Sequence, residues 1–103
     1  NYKEVFGHVV NISKVKNLDQ AIENCNKSPF GLHTAIFTND ISNAHKAINE
    51  LECAGVMIND STDYRIDAMP FGGVKSSGIG REGVKSAIEA MSETKVVCFK
   101  LKI

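Results

Sequence analysis

The first sixty residues alternate between stretches with the period of a strand and stretches with the period of a helix, and that alternation narrows the choice of folds most. Val5 to Val15 reads as a strand: it is rich in β-branched residues, with Val10 and Ile12 on one face. Asn17 can cap a helix in which Leu18, Ala21, Ile22 and Cys25 recur at helical spacing. Pro29 and Gly31 end it, because proline cannot continue the hydrogen-bond ladder. Leu32 to Thr38 is a second strand. Asp40 then caps a helix over residues 41–52 with Ala44, Ala47, Ile48 and Leu51 in an apolar stripe, and residues 56–59 form a third, short strand. Strand, helix, strand, helix, strand predicts the α/β class, with a mainly parallel sheet flanked by helices.

The second half departs from this rhythm. Residues 60–80 are polar and glycine-rich with no clear period, and a connection of that length in a small domain is usually functional or disordered. Residues 81–91 return to a helical pattern, with Val84, Ala87, Ile88 and Met91 on one face. Residues 95–103 alternate Val97, Phe99 and Leu101 with Cys98, Lys100 and Lys102, a terminal strand that invites pairing within the chain or with another subunit. Self-association is expected from it. The chain begins without an initiator Met at Asn1-Tyr2-Lys3 and enters the pattern abruptly, so a longer parent polypeptide is expected.

Charge excludes some partners. Twelve basic residues balance twelve acidic ones, and nucleic acids or membrane surfaces call for a basic excess. No apolar run reaches the length of a membrane span, and no signal peptide is visible. Cys25, Cys53 and Cys98 are odd in number and lack metal spacing, which suits buried free thiols in a reducing, cytoplasmic setting. No metal site is expected.

Three motifs bear on chemistry. Gly78-Ile79-Gly80-Arg81-Glu82-Gly83 matches the spacing of a dinucleotide-binding turn, but no strand leads into it and no acidic residue follows at the ribose distance. It reads as a turn feeding a helix, able at most to hold an anion weakly. Pro70-Phe71-Gly72-Gly73-Val74-Lys75-Ser76-Ser77-Gly78 is the most specific stretch. It holds Phe71 in a stiff loop, as an aromatic plug for the core or as the wall of a small-molecule pocket. Asp60, Asp63, Arg65 and Asp67 are solvated loop charges, or else Arg65 recognises an anionic group through its guanidinium fork. His8, His33 and His45 lie on separate elements and read as structural or surface residues.

Taken in order, Glu4-Val5-Phe6-Gly7, Asn26 to Leu32, Ala35 to Thr38, Gly55 to Asn59, Pro70 to Glu82 and Glu93-Thr94-Lys95 resemble the C-terminal end of the aldehyde dehydrogenase superfamily. The loop over residues 61–69 is most similar to the branch holding lactaldehyde, succinate-semialdehyde and non-phosphorylating glyceraldehyde-3-phosphate dehydrogenases. The resemblance implies an NAD- or NADP-dependent parent enzyme, usually oligomeric, that oxidises a small polar or anionic aldehyde to its acid. It places residues 1–91 in the C-terminal part of the catalytic domain and residues 92–103 in an oligomerisation strand that joins a neighbouring subunit's sheet. It implies that Glu4 holds the nicotinamide-side ribose, that Phe6 packs by the nicotinamide, that Phe71 lines the aldehyde tunnel, and that Arg65 or Tyr64 meets the substrate. His8 departs from the family, which has proline there. The family's cysteine nucleophile and glutamate base lie upstream, so no catalytic residue is assigned here and the chain alone is expected to be inactive. The alternative is a non-catalytic binding or assembly module with the same fold.

Overall fold

The computed structural model describes residues 3–102; Asn1 and Tyr2, at the abrupt start, and Ile103, at the end of the expected terminal strand, lie outside the described residues. Three helices and four short strands follow one another as α1 (Leu18–Asn26), β1 (Phe30–Gly31), β2 (His33–Ile36), α2 (Ile41–Glu50), β3 (Gly55–Ile58), β4 (Val74–Lys75) and α3 (Val84–Ala90).

Local chemistry sets the two longer helices. Asn17 caps α1 by accepting from the Gln20 N–H at 3.0 Å, while the Gln20 side chain accepts from the Lys16 N–H at 2.8 Å, a reciprocal arrangement close to a capping box. Asp40 caps α2 by accepting from the Ser42 N–H at 2.8 Å. Each helix turns an apolar stripe inward: Ile22 of α1 and Ala44 and Ala47 of α2 are buried, and Met57 of β3 completes the buried apolar set of the described residues.

β2 and β3 pair in parallel, with His33 opposite Gly55 and Ile36 opposite Ile58, and α2 forms the crossover between them. This is the βαβ unit expected from the alternation. β3 stops at Ile58, one residue short of the expected end, because Asn59 turns into the left-handed region at φ 57°. Its side chain then continues the pairing: the Asn59 amide accepts from the Thr38 N–H at 2.7 Å and donates to the Thr38 carbonyl at 2.9 Å.

The sheet is less uniform than expected. β4 arises inside the polar 60–80 stretch and pairs antiparallel with β1, Phe30 opposite Lys75 and Gly31 opposite Val74, so one parallel pair and one antiparallel pair share the chain. Lys75 nails this pair to the helices. Its backbone is left-handed at φ 54°, and its ammonium donates to the Asn26 carbonyl at the end of α1 (2.8 Å) and pairs with Glu52 at 2.7 Å. Placing a cation on the carbonyl end of α1 also suits the helix dipole.

Several expectations are corrected. Val5 to Val15 is not a strand here, and of the two pairings open to the terminal strand, the one within the chain is not made among the described residues. Both ends are exposed extensions, and the molecule is long, 72 × 34 × 23 Å, with a radius of gyration of 19.1 Å against about 13 Å for a compact chain of 100 residues. A strand exists only where another backbone supplies its donors and acceptors, and the described residues offer none to either extension. α2 ends two residues early, leaving Cys53 beyond the helix, and α3 begins at Val84 rather than Arg81, because residues 81–83 complete the glycine turn. The thiols are not buried: Cys25 and Cys98 are exposed and Cys53 is half-buried.

Candidate functional site

The long polar stretch folds back on itself around Phe71. The Phe71 N–H donates to the Glu82 carbonyl at 3.1 Å, and the Glu82 N–H returns the bond to the Phe71 carbonyl, an isolated antiparallel bridge that closes the loop between them. The closure depends on glycine. At Gly72 a Cβ would stand 2.5 Å from the Gly80 carbonyl oxygen, and Gly83 leaves the turn at φ 114° to start α3. Arg81 stitches the turn together by donating to the Gly73 carbonyl at 3.0 Å. Ser77 accepts from the Gly31 N–H at 2.9 Å, which joins the turn to β1.

The half-buried Phe71 ring meets two partners. His33 at the start of β2 approaches edge-on, centroids 5.2 Å apart at 84°, and the imidazole is held by its Nδ1 at 2.9 Å from the Thr62 carbonyl. It lies against Gly55, where a Cβ would come within 2.5 Å of the ring. Arg65 places its guanidinium carbon 4.2 Å from the Phe71 centroid, within cation–π range, and the same guanidinium donates to the Glu82 carboxylate at 3.1 Å. Four side chains from β2, the 60–69 loop and the two ends of the glycine turn therefore converge. A cavity of about 470 Å³ opens beside them, bordered by Leu32, Phe71, Ser77, Ile79, Arg81 and Glu82. A larger hollow, about 600 Å³, lies between Pro70 and the Val84–Ile88 face of α3. Phe71 borders the first cavity and not this one, and Arg65 lines neither but stacks on Phe71, so we place the candidate site at the Phe71 turn.

Of the residues singled out in the sequence, the structure brings Phe71 and Arg65 together. Tyr64, next to Arg65 in the chain, is about half exposed. Glu4 and Phe6 are not brought to it: both are exposed on the N-terminal extension, and the Phe6 ring, 98% exposed, touches almost nothing. This chain alone therefore wraps no cofactor cradle around them. Sequence reasoning passed over two members of the cluster. His33 was read as structural, and Glu82 as part of a turn. His33 is separated from Phe71 by 38 positions and meets it where the loop after β3 folds back, its Thr62 carbonyl on the imidazole; no local signal marks it.

Residues 2–97 match the pattern of the family described as "Aldehyde dehydrogenase family". The chain is 53% identical over 94 residues to lactaldehyde dehydrogenase of Methanococcus maripaludis, covering 91% of this chain and 20% of that protein. Among solved structures it is similar to glyceraldehyde-3-phosphate dehydrogenase GapN of Methanocaldococcus jannaschii, complexed with NADP (55% identity, TM-score 0.72, 76% of this chain and 17% of that one). It is also similar to betaine aldehyde dehydrogenase of Staphylococcus aureus in complex with NAD+ (40% identity, TM-score 0.79, 85% and 17%). The α/β unit and its glycine turn thus match a segment of a much longer fold. The chain belongs to the aldehyde dehydrogenase family, and it spans about a fifth of the length of the relatives it matches. Among the described residues no helix is long and apolar enough to cross a membrane.

Proposed function

We propose that this chain forms one wall of the active site of an NAD- or NADP-dependent aldehyde dehydrogenase that oxidises a small polar or anionic aldehyde to its carboxylic acid. The observation that carries this reading is the guanidinium of Arg65 set over the ring of Phe71, which itself borders a cavity. An aromatic wall suits the carbon skeleton of a small aldehyde, and a guanidinium fork suits a carboxylate or phosphate at its far end. Tyr64, the residue before Arg65, is assigned to the substrate as a second polar contact. The lactaldehyde and glyceraldehyde-3-phosphate dehydrogenases similar to this chain, by their names, act on small oxygenated aldehydes, which supports the same substrate class.

Glu4 and Phe6 are assigned to the cofactor, the carboxylate toward a ribose and the ring toward the nicotinamide. Their exposure on an extension with no internal partner fits residues completed by the rest of a larger fold. Residues 1–91 then belong to the catalytic domain and residues 92–103 to a strand that joins another subunit. Val96, Phe99 and Leu101, each more than 80% exposed, support such a pairing role. The nucleophile and the base belong to the remainder of the parent polypeptide. Incubated with NAD or NADP and an aldehyde, the purified 103-residue chain forms no reduced nicotinamide; reproducible turnover sinks that assignment.

The decisive test is Arg65→Ala in the full-length enzyme that carries this segment. KM for succinate semialdehyde should rise about tenfold or more, as expected for the loss of charge-assisted hydrogen bonds, while KM for the neutral butanal moves little. An equal change for both aldehydes refutes the role given to Arg65.

A further inference from the structure

We infer that Glu82 is the internal counter-ion of Arg65 and sets how strongly the site prefers an anionic aldehyde; the inference rests on the role proposed for Arg65. Two features hold the guanidinium. The Phe71 ring, at 4.2 Å, supports its face, and the Glu82 carboxylate, at 3.1 Å, occupies its hydrogen-bonding edge. That edge is the part a substrate carboxylate or phosphate needs. The Glu82 backbone is bridged to Phe71 in both directions, which keeps its carboxylate within reach of Arg65. The bridge thus fixes a carboxylate next to the cation that the aromatic ring supports.

The pair is open to exchange. The Arg65 and Glu82 side chains are 46% and 69% exposed, and ion pairs in such settings are weakly held. An incoming anion replaces one carboxylate by another on the same guanidinium, while the ring keeps the guanidinium in place. Glu82 therefore acts through Arg65 as a positioning residue: it competes with anionic substrates and leaves neutral ones unaffected. It also keeps the cation neutralised until a substrate arrives, so that the site does not retain other small anions.

The test is steady-state kinetics on the full-length enzyme with succinate semialdehyde and butanal, using Glu82→Gln, Glu82→Asp, Arg65→Ala and the double variant Arg65→Ala/Glu82→Gln. Glu82→Gln should lower KM for succinate semialdehyde relative to KM for butanal by about two- to fivefold, the range expected for an exposed ion pair. Glu82→Asp, which keeps the charge, should stay near the parent. In the Arg65→Ala background Glu82→Gln should do nothing more. If Arg65→Ala is selective for the anionic aldehyde but Glu82→Gln leaves its KM unchanged, raises it, shifts both aldehydes alike or acts equally without Arg65, the counter-ion role is overturned and the Arg65 role stands. If Arg65→Ala is not selective, both fall.

Discussion

The strands β2 and β3 and the two ends of the chain are all rich in β-branched and other apolar residues, yet they end in opposite states. In the central unit Ala47 is fully buried and Met57 nearly so; on the extensions Val10 and Phe99 are 86% and 83% exposed. The difference is not propensity. The central strands have each other: β2 and β3 are brought into register by a helix whose ends are satisfied from within, by Asp40 at the start and by Asn26 across from α1 at the finish. Asn26 donates to the Glu50 carbonyl at 2.7 Å and accepts from the Glu52 N–H at 2.9 Å. The extensions have no such partner in this chain. An amphipathic pattern specifies which face is to be buried, but the burial waits for a second surface.

Three measurements break or sharpen that contrast. Ala47→Asp puts a carboxylate where no solvent reaches and should cost about 3 kcal/mol or more, enough to unfold the central unit. Val10→Ala, made in the same 103-residue chain, should leave thermal unfolding unchanged, yet destabilise the full-length enzyme. A matching loss in the short chain would mean that the extension is already packed. Next in size, Asn17→Ala removes the cap of α1 and should cost about 1 kcal/mol, read as a lower midpoint in denaturant, with Asn17→Ser restoring most of it. A neutral Asn17→Ala would place the stability of α1 in its packing rather than in its cap.

The smallest effect concerns the ion pair that joins the two long helices. Lys46 of α2 pairs with Asp19 of α1, and the hydrogen bond that the ammonium donates to Asp19 raises the lysine above its ordinary value of 10.5. A folded-state value above the unfolded one means that the contribution is complete below pH 10.5 and fades as pH rises through the raised value. Because the ammonium is exposed, the expected loss in an alkaline titration is slight. Lys46→Met should abolish its pH dependence while leaving neutral-pH stability nearly unchanged.

Legibility from the sequence followed the range of the interactions. Asn17 and Asp40 were readable as caps because a cap acts within three residues of itself. The order of β2, α2 and β3 was readable because the periods differ and the connections are short. The break after Ile58 was not, since it depends on Asn59 adopting a left-handed turn and reaching Thr38, 21 positions away. β4 was also hidden: two residues inside a glycine-rich loop carry no period, and only pairing with Phe30 and Gly31 makes them a strand. In the candidate site, Phe71 and Arg65 stood out by residue type. Their contact, and the arrival of Glu82 and His33, needed the bridge and the sheet.

The order of residues alone determined the helices, their caps, the α/β alternation and the stiff turn that presents Phe71, because each rests on neighbours a few positions apart. The tertiary structure decided which patterned segments become strands, which way β4 runs and which charge faces Arg65. Those outcomes need two distant backbones to exchange hydrogen bonds, and a segment cannot supply the second backbone from its own composition.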